Sequence, residues 1–138
     1  MNNIEKFDAL AAYIFADLYE QFPVVTEIKP QKYLGELIEE DDFDGSWTFP
    51  EFADATFDWL SKCEYIFLEK ESGLRNKVSY KATLAPRAFD VMRQPSPLDP
   101  KKPLGESIRN TISEKSMQGL GIVVSAALSS STSAVFTQ

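Results

Sequence analysis

The sequence contains no histidine and only one cysteine, Cys63, in 138 residues. Without histidine, the chain cannot form Ser-His or Cys-His nucleophile pairs, two-histidine zinc sites or a proton shuttle that titrates near neutral pH. A single cysteine excludes a disulfide within the chain and cysteine-rich metal sites, and it fits a reducing compartment. We therefore expect a cytoplasmic protein that is not an enzyme, has no catalytic residues and uses no cofactor.

Long apolar runs are also missing. The most apolar stretch, Gly119 to Leu128, covers ten positions and includes Ser125, and five hydroxyl residues follow it at 129–133. A membrane-spanning helix needs about 20 mostly apolar residues. The first residues also lack the basic start of a secretory signal. We therefore expect no membrane association.

Positive charge is scarce in the first third of the chain. Residues 1–45 contain 11 acidic and three basic residues, a net charge of −8, whereas the whole chain carries −7. Residues 70–115 contain ten basic and five acidic residues. The chain is therefore an electric dipole, acidic in its first part and mildly basic later. An overall charge of −7 disfavours non-specific binding to phosphate backbones.

The spacing of apolar residues predicts an α+β fold that is mostly α. Helices are predicted where apolar side chains recur at steps of three and four, and strands where apolar and β-favouring residues form short runs or alternate with polar ones. The predicted elements are helices over residues 4–19, 31–39, 49–63, 87–93 and 104–128 and strands over 65–68 and 78–84. The two strands form a β-hairpin with a polar loop.

Several short motifs resemble those of uncharacterised bacterial winged helix-turn-helix proteins. The motifs are Phe22-Pro23 after the first helix, Trp59-Leu60 late in the third, Tyr65-Ile66 at the start of a strand, and Thr83-Leu84 running into Pro86 to Phe89. The chain departs from the family pattern at Ala85 and Ala88, which replace a threonine and a glycine. The resemblance implies a winged helix-turn-helix domain, with three helices, a β-hairpin wing and a return helix, followed by an extra C-terminal helix.

The domain organisation follows from this resemblance and from composition. We expect a winged-helix domain over residues 1–94, a proline-rich connector over 95–103, a C-terminal packing and dimerisation helix over 104–130 and a frayed tail over 131–138. The C-terminal helix is apolar nearly all round, so one side can pack on its own domain and the other on a second copy. The alternative is burial of this helix within its own monomer. The predicted dimerisation residues are Leu120, Ile122, Val123, Val124 and Leu128.

The third predicted helix corresponds to the DNA-recognition helix of the winged fold, but its exposed positions are acidic. They include Glu51, Asp54 and Asp58 against one base, Lys62. DNA-binding helices usually carry arginine or lysine at such positions. We therefore interpret the chain as a non-enzymatic winged-helix protein that acts by protein–protein interaction, as a homodimer with an additional, unidentified protein partner. The predicted interaction residues are Trp47, Phe49, Asp54 and Asp58.

DNA binding through the wing is the first alternative. Lys70, Arg75, Lys77 and Lys81 lie within 12 positions of one another in and beside the predicted hairpin loop. Basic residues grouped in this way can contact phosphates. The competing interpretation is a solvated hairpin tip. On the DNA hypothesis the chain is a transcription regulator that contacts a duplex mainly through these four bases.

Calcium binding is the second alternative. Residues 40–51 fit much of the twelve-residue loop of EF-hand proteins, with a glycine at its sixth position. The carboxylate ligands would be Glu40, Asp42, Asp44 and Glu51. The loop departs from the EF-hand pattern by starting with glutamate instead of aspartate and by placing Trp47 at its eighth position. The competing interpretation is an acidic turn between two helices with no metal.

Overall fold

The structure, a computed structural model, describes the backbone of residues 2–72 and 78–136 and the side chains of these residues except 72 and 129–136. This part of the chain is 64% helical, with six α-helices and one three-stranded antiparallel sheet, which confirms the predicted α+β, mostly helical class. The elements are α1 (Asn3–Gln21), β1 (Thr26–Ile28), a 3-10 helix (Pro30–Tyr33), α2 (Leu34–Leu37), α3 (Phe43–Lys62), β2 (Ile66–Ser72), β3 (Val78–Leu84), α4 (Pro86–Met92), α5 (Leu104–Glu114) and α6 (Met117–Phe136).

Helix α1 forms the centre of the fold. It begins with a capping box, in which the Asn2 side chain accepts a hydrogen bond from the Glu5 backbone at 2.8 Å and the Glu5 carboxylate accepts one from the Asn2 backbone at 3.2 Å. This arrangement satisfies two of the backbone donors at the helix start. Its buried face, which includes Leu10, Ile14 and Phe15, contacts α3, α5, α6 and β3.

The sheet has the strand order β1-β3-β2, with both neighbouring pairs antiparallel. Strands β2 and β3 form the predicted hairpin, and β1 adds a third strand through the pairs Thr26 with Ala82 and Ile28 with Tyr80. The ring of Tyr80 stacks on Phe57 of α3 at 4.1 Å between centroids. The sheet is therefore fixed against α3 by an aromatic contact within the core.

Helix α3 begins six residues earlier than the sequence predicted. The Asp42 carboxylate accepts a hydrogen bond from the Gly45 backbone at 2.8 Å, and this N-cap starts the helix at Phe43. Pro50 consequently lies inside the helix instead of in its first turn. Because proline has no backbone N–H, the helix lacks one internal hydrogen bond there. The longer helix places Phe43 and Trp47 on helical backbone.

The predicted long C-terminal helix is two helices, α5 and α6. Lys115 has a φ of 55°, a left-handed conformation that ends α5. The Ser116 hydroxyl then accepts a hydrogen bond from the Gly119 backbone at 3.0 Å at the start of α6. The break lets both helices pack on α1. Helix α6 continues to Phe136, where a frayed tail was predicted, and residues 137–138 lie outside the described residues.

The proline-rich connector folds back on itself instead of extending. Pro95 and Pro103 form an isolated antiparallel bridge, and the Leu104 backbone donates a hydrogen bond to the Gln94 carbonyl at 2.7 Å. Ser96, which is buried, donates from its hydroxyl to the Ser107 hydroxyl at 2.7 Å. The prolines therefore close a loop on the start of α5. Within the described residues, no helix combines the length and apolar character needed to cross a membrane.

Candidate protein-interaction surface

One side of α3 presents five residues in a line along the helix. Their spacing of four, four, three and four places them on a single helical face. These residues are Phe43, Trp47, Glu51, Asp54 and Asp58, and we call this face the α3 surface. It begins with two aromatic side chains and continues with three carboxylates.

The aromatic end of the α3 surface is open to solvent. Phe43 and Trp47 are each 72% exposed, and their ring centroids lie 6.4 Å apart at an interplanar angle of 67°. Phe49, which the sequence placed at the interaction surface, is 2% exposed and belongs to the core, so that prediction is wrong. It follows Trp47 by two residues, which directs it about 200° around the helix. Phe43 was missed because the predicted helix began after it.

Acidic residues lie close in sequence to the two aromatic residues. Between Lys32 and Lys62 the sequence has nine acidic residues and no basic one. Those nearest the aromatic pair in the chain are all exposed, and within the described part of the chain none of them forms an ion pair. They are Glu39, Glu40, Asp41, Asp44 and Glu51. The first half of α3 and the segment before it are therefore predominantly negative, with Lys6 of α1 as a base near Glu51.

The second half of the α3 surface is neutralised by neighbouring bases. Lys70 on β2 contacts Asp54 at 2.8 Å, and the Tyr80 hydroxyl donates a hydrogen bond to the same carboxylate at 2.6 Å. Lys70 and then Tyr80 hold the pKa of Asp54 below its usual range. Burial, together with Asp54, raises the pKa of Tyr80. Lys62 pairs with Asp58 one turn away, at 2.8 Å.

Of the four predicted DNA-binding bases, the two that the structure describes are both in ion pairs. Lys70 is paired with Asp54, and Lys81 on β3 is paired with Glu71 on β2 at 2.9 Å. Arg75 and Lys77 lie outside the described residues. The two described bases are thus engaged by carboxylates of the same chain.

A cavity of about 450 Å³ lies beside the α3 surface, between the start of α1 and the first half of α3. Its apolar lining includes Ile38, Phe52 and Ala55, and Lys6 and Glu51 supply charged groups. Glu51 belongs to both the cavity and the α3 surface and follows Trp47 by one helical turn. Neither Phe43 nor Trp47 lines this cavity.

The predicted calcium loop is replaced by helix. From Phe43 onward the segment is part of α3, so Asp44 and Glu51 lie on helical backbone, and Asp42 is occupied as the N-cap. An EF-hand needs these carboxylates on a loop that wraps one cation. Among the described residues, no group of three or more histidine, cysteine or acidic side chains is placed to hold a metal ion. The calcium-loop hypothesis, which also included Glu40, is wrong in its geometry.

Most of the predicted dimerisation residues are buried inside the chain. Leu120 is 4% exposed, and Val123 and Val124 are fully buried. Leu128 is half-buried and packs against the same core, whereas Ile122 is 40% exposed. The apolar character of α6 thus reflects packing within the chain, the alternative noted from the sequence. Leu120, Val123 and Val124 do not form an open dimer face in this conformation.

Comparisons of the chain with protein-family models, with curated proteins and with solved structures found no match.

Proposed function

We propose that the chain is a winged-helix protein that acts by binding another protein through the α3 surface and does not read DNA. The order of α1, α2, α3 and the β2-β3 hairpin supports the winged-helix assignment. In this arrangement α3 takes the position of the recognition helix and the hairpin that of the wing. A fold of this kind serves several purposes, so its function depends on the site that it carries.

The observation that carries the proposal is the exposure of Phe43 and Trp47 on the same helix as Asp44 and Glu51, which form no ion pair within the described residues. Aromatic residues are enriched at protein interfaces and supply much of their binding energy. Carboxylates at the same place repel a phosphate backbone. Bases of the described wing do not offset this repulsion, because Lys70 and Lys81 are already paired with carboxylates.

Titration of a labelled duplex tests the proposal. The full chain is added to a fluorescent DNA duplex of about 20 base pairs at low salt, where electrostatic attraction to DNA is strongest. We expect the anisotropy to stay flat. A control variant with Asp44→Lys and Glu51→Lys replaces two negative charges on α3 by positive ones and is expected to gain affinity for the duplex. Saturable, salt-sensitive binding by the unaltered chain would overturn the proposal.

A further inference from the structure

We propose that the partner of the α3 surface is a basic, amphipathic protein segment. Its apolar side chains would pack against Phe43 and Trp47, and its lysine or arginine side chains would face the unpaired carboxylates. This inference rests on the proposed function and names the chemistry of the partner.

The apolar part of the inference comes from the shape of the surface. Two aromatic rings one turn apart, each 72% exposed, offer an apolar ridge on the helix. An exposed apolar ridge on a helix matches a segment with apolar residues on one face.

The basic part of the inference comes from charge complementarity. Asp44 and Glu51 flank Trp47 on the same helix, and neither has an ion-pair partner within the described residues. The acidic residues that precede α3, at 39–41, extend the negative charge beyond the helix start. A cationic segment gains attraction to this charge during approach, and a lysine or arginine can also stack on the Trp47 ring.

The same charge disfavours other ligands. Duplex DNA and anionic lipid surfaces are both negative, and they meet the same repulsion at the first half of the α3 surface. A second copy of this chain would bring the same acidic surface to a symmetric contact, where like charges oppose each other. A basic segment of a different protein is therefore the favoured occupant.

Fluorescence of Trp47 provides the test. The chain has two tryptophans, and Trp59→Phe leaves Trp47 as the only one while keeping an aromatic ring beside Phe7 and Tyr65. This full-length variant, with its fold checked by circular dichroism, is titrated with a lysine–leucine amphipathic peptide of about 18 residues, long enough for five helical turns. A glutamate–leucine peptide of the same pattern is the matched ligand control.

We expect saturable binding of the basic peptide, with a blue shift of Trp47 emission, and no response to the acidic peptide. Affinity should fall at least tenfold between about 0.05 and about 0.5 M salt, because ions screen the exposed charges. In the same background, Phe43→Ala should weaken binding roughly tenfold. Phe67→Ala, which removes an aromatic side chain 58% exposed on β2, should leave the affinity unchanged.

Charge variants separate specific from general attraction. The pair Asp44→Asn and Glu51→Gln should weaken peptide binding by about fivefold, since each exposed ion pair contributes modestly. The pair Glu106→Gln and Glu114→Gln removes the same charge from α5 and should have no effect. Equal weakening by both pairs would mean that the peptide responds only to net charge, which would overturn the inference.

The remaining outcomes distinguish this inference from the proposed function. If the basic peptide fails to bind while the duplex trace stays flat, the partner class is wrong and the proposed function stands. If the duplex binds, both the proposed function and this inference are wrong. If Trp47 emission shifts with protein concentration alone, a second copy occupies the surface and the inference is overturned. Equal binding of the acidic peptide would contradict it as well.

Discussion

The ammonium group of Lys70 lies 2.8 Å from the Asp54 carboxylate and ties the β2–β3 hairpin to the middle of α3. Tyr80 on the neighbouring strand donates to the same carboxylate at 2.6 Å. A base that the sequence assigned to DNA contact thus has a partner within the chain. The second half of α3 is therefore held by the β2–β3 hairpin, whereas the carboxylates of its first half form no ion pair with any described residue.

Replacing Asp54 is expected to weaken the fold. Asp54→Ala removes the acceptor of the partly buried Tyr80 hydroxyl and should lower the free energy of unfolding by about 1 kcal/mol. The half-exposed ion pair with Lys70 adds little to this loss. The control is Asp58→Ala, whose partner Lys62 is exposed, and its urea midpoint should match that of the unaltered chain. Equal midpoints for both variants would show that Asp54 does not brace α3.

The stability contribution of Asp54 should depend on pH. Because its folded pKa lies below the unfolded value of about 3.9, its contribution is present above that pH and is lost as pH falls through the folded pKa. The gap in unfolding free energy between the unaltered chain and Asp54→Asn should therefore be constant near neutral pH and shrink in acid. Urea unfolding across the acid range measures it. A gap that widened in acid would contradict the lowered pKa.

The stability contribution of Asp8 should depend on pH in the opposite direction. Burial, and secondarily Glu5, raises the pKa of Asp8. Its contribution to stability is then fully present below the unfolded pKa of about 3.9 and is lost as pH rises through the folded pKa. Asp8→Asn should therefore be more stable than the unaltered chain at neutral pH and lose this advantage in acid. Thermal melts at several pH values provide the measurement, and an advantage present only in acid would be inconsistent with it.

Two glycine substitutions should change stability in opposite directions. A methyl group added at Gly105 would lie 2.7 Å from the Tyr19 ring, so Gly105→Ala should destabilise the α1–α5 contact by about 1–2 kcal/mol despite better helix propensity. At Gly35 in α2 no atom lies within 4 Å of the added methyl group, and Gly35→Ala should stabilise by about 0.5–1 kcal/mol. Thermal unfolding compares the stability of the two variants. Stabilisation by both substitutions would mean that α5 is not packed on α1 as described.

The buried serine pair should hold the connector on α5. Ser96 and Ser107 are 1% and 4% exposed, and the Ser96 hydroxyl also accepts a hydrogen bond from the Leu98 backbone at 3.1 Å. Ser96→Ala removes the partner of the Ser107 hydroxyl and of the Leu98 backbone N–H. It should lower the free energy of unfolding by about 1–3 kcal/mol. The double variant Ser96→Ala and Ser107→Ala should lose less unfolding free energy than the sum of the losses in the two single variants. The reason is that the two hydroxyls form a hydrogen bond with each other. Strict additivity in urea unfolding would refute this coupling.

The sequence predicted the elements whose signals are local. In α1, apolar residues recur at helical spacing along the whole helix. Helix α4 begins at Pro86, where proline suits a first turn. The start of α3 was misplaced because Pro50 also suits a first turn, while the Asp42 cap was interpreted as part of a calcium loop. The break at Lys115 carries no glycine or proline to mark it. Strand β1 has three residues and depends on pairing with β3, which no local pattern reveals.

The candidate site was less predictable than the fold. The sequence assigned Trp47 and Asp58 to a protein-interaction surface, and the structure exposes both on α3. The pairing of Asp54 with Lys70 joins residues from different elements and needs the tertiary structure. Burial of α6 by α1, likewise, could not be distinguished from dimerisation by apolar content alone.

Photo-crosslinking in the cells that make this protein tests the central claim most directly. Benzoylphenylalanine replaces Phe43 on the α3 surface or, as a matched control, Phe67 on β2, which is also an exposed aromatic residue. We predict a protease-sensitive, nuclease-resistant adduct from position 43 that is absent from position 67 and is reduced by Trp47→Ala. An adduct with nucleic acid at position 43, or equal yields from both positions, would contradict the account.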